Sequence, residues 1–143
     1  MNVEFKIIPH GDKEWEKAVK LREEVLRKPM NSFFTDDELT SEKENVHIVG
    51  VVDNEIIAAA VLVLEQEKIK MQRVAVKSDL RNYNIGSKMM SYCENYAIKN
   101  KYDQIYCHAR DTAVKFYLNN YYVSDGDYFQ EDGIPHLKMY KEL

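Results

Sequence analysis

Cysteine, proline and glycine are scarce in this chain of 143 residues, which contains two, three and five of them respectively. The two cysteines, Cys93 and Cys107, follow neither a Cys-x-x-Cys nor a zinc-type spacing, which argues against a disulfide scaffold and a cysteine metal site. Apolar runs are also short, since none approaches the roughly 20 residues that span a bilayer, and no signal peptide is visible. We therefore expect buried, reduced thiols in a cytoplasmic protein without membrane contact.

An excess of charge of one sign is lacking as well, because 20 Lys and Arg residues stand against 24 Asp and Glu residues, for a formal net charge of −4. That balance argues against nucleic acid as a partner, since phosphate backbones require clustered cations. The four histidines, at positions 10, 47, 108 and 136, have no metal-ligand spacing, so no metal site is expected. With 45% hydrophobic residues, the composition predicts one globular domain over residues 1–143.

Hydrophobic periodicity and turn residues divide the chain into strands and helices. The order is one strand, one helix, three antiparallel strands, a helix, a strand, a helix and two closing strands, which predicts an α/β domain. Asp12 is the expected N-cap of the first helix, and the acidic residues 29–46 are expected to form a loop or short helix over a site. The predicted strands are residues 3–8, 47–52, 56–64, 68–76, 103–108, 121–124 and 135–140, and the predicted helices are residues 14–28, 85–100 and 112–119.

Residues 71–87 hold the strongest functional signal in the chain. The apolar run Val74–Val76 leads into a polar, turn-prone stretch with Arg81 and Gly86, after which an amphipathic helix begins. A helix N-terminus reached in this way binds anions, because its first N–H groups lack partners and the helix dipole adds about half a positive charge. Arg81 adds a planar cation suited to phosphate. This segment therefore predicts a phosphorylated ligand.

Three sequence blocks resemble the GNAT superfamily of acyl-CoA-dependent N-acetyltransferases. Residues 81–86, Arg-Asn-Tyr-Asn-Ile-Gly, resemble its pyrophosphate loop, Arg/Gln-x-x-Gly-x-Gly/Ala. Residues 113–122 resemble the pattern Ala-x-x-Phe/Leu-Tyr-x-x-x-Gly-Phe, and residues 129–139 are similar to the ending of the bacterial YjcF/ElaA-like subgroup. The resemblance implies a mixed, mostly antiparallel central sheet of about six or seven strands, flanked by about four helices.

Two residues depart from these patterns, because Asn84 and Tyr121 stand where the family usually has glycine. Asparagine is the non-glycine residue that best tolerates a left-handed backbone, so we expect the loop at Asn84 to keep its shape. The resemblance further implies that acetyl-CoA is held mainly by the backbone, on an exposed strand edge and at the helix N-terminus. The residues it assigns to cofactor binding are Val74, Ala75, Val76, Arg81, Asn82, Tyr83, Asn84, Ile85, Gly86, Ser87 and Phe116.

The catalytic assignment implied by the resemblance is Tyr117, as the general acid that protonates the departing coenzyme A thiolate. An ordinary tyrosine pKa of about 10 keeps the proton in place until the thiolate forms. The general base is open between Glu65, His47, His136 and a chain of waters, since Gln72 stands where related sequences have an acid and cannot accept a proton. His136 and Glu65 are also the candidate contacts to the acceptor substrate, and Arg73 is expected to be a structural, salt-bridged residue.

The predicted function is transfer of an acetyl group from acetyl-CoA to a primary amine of a small molecule or peptide. The alternatives are a non-catalytic acyl-CoA-binding sensor and an interaction-only α/β domain. The acidic run at residues 36–38 is expected to be a solvated face, with attraction of a cationic amine as the alternative. An edge strand near the C-terminus would allow two copies to pair as a homodimer.

Overall fold

A computed structural model describes residues 1–143, which form one seven-stranded sheet in the order β1-β2-β3-β4-β5-β7-β6. All neighbouring strands are antiparallel except β4 and β5, which are parallel, so the expected mixed, mostly antiparallel sheet is confirmed. The strands are Glu4–Ile8 (β1), Val46–Val52 (β2), Glu55–Leu64 (β3), Lys68–Val76 (β4), Gln104–Arg110 (β5), Val123–Glu131 (β6) and Ile134–Glu142 (β7). The α-helices are Lys13–Arg22 (α1), Asp36–Ser41 (α2), Ile85–Lys99 (α3) and Val114–Asn119 (α4).

Helices α3 and α1 cover opposite faces of the sheet and form two apolar clusters. The larger cluster packs α3 residues such as Met89 and Cys93 against the central strands, and it also contains Cys107. Both cysteines are buried and unpaired, and burial raises the pKa of each thiol to about 12. The smaller cluster packs α1 residues such as Leu21 against β2 and β3. No helix in the structure has the length and hydropathy needed to cross a membrane.

The first helix begins and ends differently from the sequence prediction. Asp12 caps it as expected, because its carboxylate accepts a hydrogen bond of 2.8 Å from the Trp15 backbone N–H. Regular α-helix ends at Arg22, but the helical path continues as a π-helical turn over Glu23–Arg27 and a 3-10 turn over Lys28–Met30. π-Helical turns are rare in proteins, and those that occur are often found at functional sites.

Strands β4 and β5 separate soon after they begin to pair. Their parallel pairing covers only Lys68–Lys70, after which β4 follows β3 and β5 follows β7. A bulge disturbs the β3–β4 register, and within it Arg73 has a left-handed φ of 54°. The edge of β4 from Met71 to Val76 therefore has no strand partner on the β5 side, and a wedge opens between the two strands.

The C-terminal hairpin is longer than predicted, because the strands expected over residues 121–124 and 135–140 extend to Val123–Glu131 and Ile134–Glu142. Strand β6 runs to Glu131, and the turn consists of Asp132 and Gly133, with φ angles of 54° and 72°. The continuation of β6 beyond residue 124 is not visible in the sequence, because an edge strand with mostly exposed side chains shows no alternation of apolar residues. Strand β5 similarly extends two residues past the prediction, to Arg110.

Residues 29–46 contain the short helix that the sequence allowed. Helix α2 begins with a capping box, in which Thr35 and Glu38 each bind the other's backbone N–H. The sequence offers Phe33 and Phe34 as apolar anchors of this segment, but only Phe34 is buried, whereas Phe33 is 72% exposed. The segment is therefore held in place by one aromatic ring and by the ion pairs described below.

Candidate active site

The wedge beside β4 holds a cavity of about 650 Å³, called here the large cavity. The unpaired edge of β4 forms one wall, and the loop before α3 forms another. Arg110 of β5 and residues around α4 close the opposite side. Nine of the residues expected to bind the cofactor line this cavity: Val74, Ala75, Val76, Arg81, Asn82, Asn84, Gly86, Ser87 and Phe116.

The segment that leads into α3, a 3-10 helix over Ser78–Tyr83 followed by Asn84, presents the N-terminus of α3 to this cavity. Asn84 precedes the helix with a left-handed backbone (φ 61°, ψ 22°), and its side chain does not cap the helix. The first N–H groups of this 15-residue helix are thus free to bind a ligand, and the helix dipole makes the position attractive to anions. The expected left-handed conformation at Asn84 is confirmed.

Gly86 is required by a close approach rather than by its backbone angles. A Cβ atom at this position would lie 3.0 Å from Cε1 and 3.1 Å from Cζ of Phe116. The absence of a side chain therefore lets the Phe116 ring of α4 pack against the first turn of α3. Tyr83 is half exposed and Ile85 is buried in the core, and neither residue lines the large cavity, so their assignment to cofactor binding stays a prediction.

Tyr117 stands in the wall between the large cavity and a second one. It is 5% exposed, and its ring packs edge-on against Phe116 and Tyr122, at centroid distances of 5.1 and 5.5 Å. Burial and, next, the neighbouring Cys107 thiol raise the pKa of Tyr117 well above its ordinary value. The phenol therefore keeps its proton throughout the physiological pH range.

The second cavity, called here the small cavity, has a volume of about 170 Å³ and is built from side chains. It receives residues from the π-helical turn, the segment before α2, strands β4 and β5, and the β6–β7 hairpin. It shares Leu26, Val74, Arg110, Ala113 and Tyr117 with the large cavity. The two cavities thus meet at Tyr117.

Three guanidinium groups surround the ring of Phe34 beside the small cavity. The guanidinium carbons of Arg27, Arg22 and Arg73 lie 4.2, 4.5 and 5.1 Å from the ring centroid. Cations over an aromatic face are attracted by its quadrupole, so Phe34 helps to hold three like charges close together.

Two carboxylates of the α2 region form ion pairs with these three cations. Glu42 accepts hydrogen bonds from Arg22 (2.8 Å) and Arg73 (3.1 Å), and the side chains of Glu42 and Arg22 are each 1% exposed. Glu38 accepts two bonds from Arg27, of 3.0 and 2.6 Å, and this pairing lowers the pKa of Glu38 to about 2. The expectation that Arg73 is salt-bridged is confirmed, and Glu38 of the acidic run is paired rather than simply solvated.

Comparison with known proteins identifies the family. The family profile described as Acetyltransferase (GNAT) domain matches residues 15–143. The chain therefore belongs to the GNAT family.

Among curated relatives of this GNAT protein, the uncharacterized N-acetyltransferase YjcF of Bacillus subtilis is 27% identical over 137 residues, covering 95% of this chain and 98% of YjcF. Protein ElaA of Escherichia coli is 29% identical over 111 residues, covering 75% of this chain and 71% of ElaA.

Solved structures show the same fold. The crystal structure of E. coli ElaA superposes with a TM-score of 0.84 at 23% identity, covering 99% of this chain and 100% of that one. A GNAT family acetyltransferase from Elizabethkingia anophelis with acetyl-CoA bound gives a TM-score of 0.73 at 17% identity, covering 99% of each chain. The expected GNAT fold is thereby confirmed.

The second departure from the GNAT pattern has a visible backbone consequence. Tyr121 follows α4 with a left-handed φ of 70°, and the Tyr122 N–H returns to the Tyr117 carbonyl at 3.0 Å. This is the usual helix-ending position for glycine. Tyr121 occupies it with a side chain that is 84% exposed, so it keeps the turn without entering either cavity.

A pair of histidines bridged by a carboxylate lines the small cavity of this GNAT protein. His108 Nδ1 lies 3.0 Å from Glu131 Oε1, and His136 Nε2 lies 3.6 Å from Glu131 Oε2. Burial opposes ionisation of Glu131, but the hydrogen bond from His108 and the nearby cations lower its pKa overall. Only His136 is predicted as a site residue from the sequence. His108 and Glu131 lie on other strands, and the pairing of β5 and β6 with β7 brings them beside His136.

The remaining candidate bases lie outside both cavities. Glu65 sits at the turn between β3 and β4, where both carboxylate oxygens lie 2.8 Å from the Tyr106 hydroxyl. His47 is buried in β2, where its Nε2 faces the Glu42 carbonyl at 2.9 Å, and burial lowers its pKa. Of the three side chains considered as bases, the structure brings only His136 to a cavity. Gln72 also lines the small cavity.

Proposed function

We propose that this GNAT protein is an N-acetyltransferase that takes an acetyl group from acetyl-CoA and transfers it to a primary amine of a small molecule or peptide. The observation that carries the proposal is the position of Tyr117 in the wall shared by the two cavities. One cavity offers backbone groups for a long cofactor, and the other offers ionisable side chains for an acceptor.

The chain's backbone would hold the cofactor. The pantetheine arm contains amides, and an unpaired strand edge such as Val74–Val76 binds amide-containing ligands as it would bind another strand. The free N–H groups at the start of α3 and the Arg81 side chain suit a pyrophosphate. The absence of a Cβ at Gly86 lets the Phe116 ring pack against the first turn of α3, beside this end of the cavity.

Tyr117 would act as the general acid. The hydroxyl is protonated at neutral pH, so it can donate a hydrogen bond, and finally its proton, to the sulfur of the leaving thiolate. A buried hydroxyl is also screened little by water, which strengthens its interaction with developing negative charge.

His108 would accept the proton released by the amine. An ionised Glu131 can only accept hydrogen bonds, so the 3.0 Å contact assigns the donor N–H to His108 Nδ1 and leaves Nε2 with a lone pair. Glu131 also stabilises the imidazolium that forms when Nε2 takes up a proton. His136, whose Nδ1 donates to the Ile134 carbonyl at 2.8 Å, would contact the acceptor from the adjacent strand.

Turnover of acetyl-CoA with a panel of primary amines tests the proposal. We expect thiol release that depends on the amine, together with an acetylated product identified by mass spectrometry. Coenzyme A at 100 times its Kd should also stabilise the protein by about 2.7 kcal/mol. Stabilisation by coenzyme A without thiol release for any amine would favour the non-catalytic acyl-CoA-binding sensor. No stabilisation by coenzyme A would favour an interaction-only domain.

Self-association stays a prediction. Strand β6 is an edge of the sheet and exposes Val123 and Tyr128, so pairing of this edge between two copies would give a homodimer. Analytical ultracentrifugation at several concentrations tests it, and a mass of one chain at every concentration would contradict it.

A further inference from the structure

Two cations of the small cavity have no carboxylate partner. Arg27 and Arg73 are paired with Glu38 and Glu42, but Lys70 forms no ion pair or hydrogen bond. Arg110 forms no ion pair either, and donates only to the Leu26 carbonyl at 2.8 Å. Positive charge is therefore left available in this cavity.

The unpaired cations flank the histidine pair on one face of the sheet. Lys70 lies opposite Tyr106 in the β4–β5 pairing, and His108 and Arg110 follow Tyr106 at alternate positions of β5. Arg110 lies opposite His136 in β7. Arg110 lines both cavities, as Tyr117 does, whereas Lys70 lines only the small cavity.

The unpaired cations of the lining give an anionic group a partner inside the small cavity. Arg27 and Arg73 are paired with Glu38 and Glu42, which do not line the cavity, so the charges left in the lining are Lys70 and Arg110 against Glu131 and Asp132. A diamine would place a second positive charge beside these unpaired cations, whereas an anion is attracted to them. An acceptor that carries its own anion would instead pair with the free cation and keep its amine near His108.

The volume of the cavity limits the acceptor's size. An engineered apolar cavity of about 150 Å³ binds benzene, which has six non-hydrogen atoms. The small cavity, at about 170 Å³, therefore suits a group of similar size. Four-aminobutanoate has about this size and places a carboxylate at the end opposite to its amine.

We propose that the acceptor is a small amine that also carries a carboxylate, and that Lys70 binds this carboxylate while the amine lies toward His108 and Tyr117. The inference rests on the proposed function, since it names the substrate class of the same site. Lys70 then determines specificity and takes no part in the proton transfers.

Three acceptors of equal length separate the alternatives: 4-aminobutanoate, butylamine and 1,4-diaminobutane. We expect kcat/KM to be at least about 10-fold higher for 4-aminobutanoate, which corresponds to one hydrogen bond to a charged group. Lys70→Met should remove this preference, and Lys70→Glu should reverse it in favour of the diamine. Lys68→Met is the matched control, because Lys68 lies on the same strand, contacts the Tyr106 ring and lines neither cavity.

Titration calorimetry on the coenzyme A-loaded protein gives a readout that does not need turnover. We expect 4-aminobutanoate to bind the wild-type protein and the Lys68→Met variant alike, and to bind Lys70→Met about 10-fold more weakly. No binding of 4-aminobutanoate to the loaded protein, or a wild-type preference for butylamine or the diamine, overturns the inference. Failure of the proposed function differs, because coenzyme A would then not bind or no amine would be acetylated.

Discussion

The two cavities that meet at Tyr117 are built in different ways. The large cavity takes two of its walls from one stretch of sequence, residues 74–87, and uses mainly a free strand edge and a helix N-terminus. The small cavity gathers side chains from distant segments, from Leu26 to His136. Backbone groups are common to all residues, whereas side chains are specific, so the first design suits an invariant cofactor and the second a particular acceptor.

This difference predicts how each side responds to substitution. The cofactor side should tolerate changes of side chain as long as the backbone path is kept. The small cavity depends on the ion pairs around Phe34 and on the contacts of Glu131 with His108 and His136. Single substitutions there should therefore have larger effects on activity and stability. Tyr117 belongs to both sides and should be the most sensitive position.

Replacement of the shared tyrosine should give the largest effect. Tyr117→Phe removes the hydroxyl that we propose as the general acid, so we expect kcat to fall by about 100-fold to 10,000-fold, while coenzyme A affinity is unchanged. Steady-state kinetics and calorimetry measure the two quantities. Tyr122→Phe is the matched control, because its hydroxyl donates to Glu94 at 2.9 Å and lines neither cavity. An unchanged kcat in Tyr117→Phe would remove the tyrosine from the mechanism.

Loss of a buried carboxylate should be the next largest effect. Glu42→Gln leaves the Arg22 guanidinium, which is 1% exposed, without a negative partner. We expect the free energy of unfolding to fall by about 3 kcal/mol, as measured by urea denaturation. Glu55→Gln is the control, since its exposed pair with Lys77 should contribute less than about 1 kcal/mol. Equal losses in both variants would show that the Phe34 cluster is not specially important.

The third effect depends on pH and belongs to Glu38. Its folded-state pKa of about 2 lies below its unfolded value, so its pair with Arg27 stabilises the protein above about pH 4 and this contribution is lost as the pH falls toward 2. Glu38→Gln should therefore cost about 1–2 kcal/mol near neutral pH, because the group is partly exposed, and almost nothing near pH 2. Unfolding curves across this range measure the difference, and a pH-independent difference would contradict the assignment.

Substitutions at the two left-handed positions should have the smallest effects. Tyr121→Gly relieves a side chain from a left-handed backbone and should raise the free energy of unfolding by about 0.5–1 kcal/mol. Asn84→Gly should change stability less, because asparagine tolerates this conformation, and should leave coenzyme A affinity within a few-fold. A large loss of affinity in Asn84→Gly would show that the cofactor side depends on a side chain after all.

The same contrast explains what could be predicted from sequence. Strand β4, the cap at Asp12 and the left-handed Asn84 depend on neighbouring residues, and local patterns located them. The bulge at Arg73 and the contact between His108 and Glu131 depend on which strands pair and in what register. Register follows from long-range packing, which no local pattern in the chain encodes.

Binding of acetyl-CoA at the expected place tests the central claim most directly. A crystal structure of the complex should show the pyrophosphate oxygens within hydrogen-bond distance of the first N–H groups of α3, the pantetheine along Val74–Val76, and the thioester facing the Tyr117 hydroxyl. A cofactor bound away from this strand edge, or a thioester that does not approach Tyr117, would contradict the account.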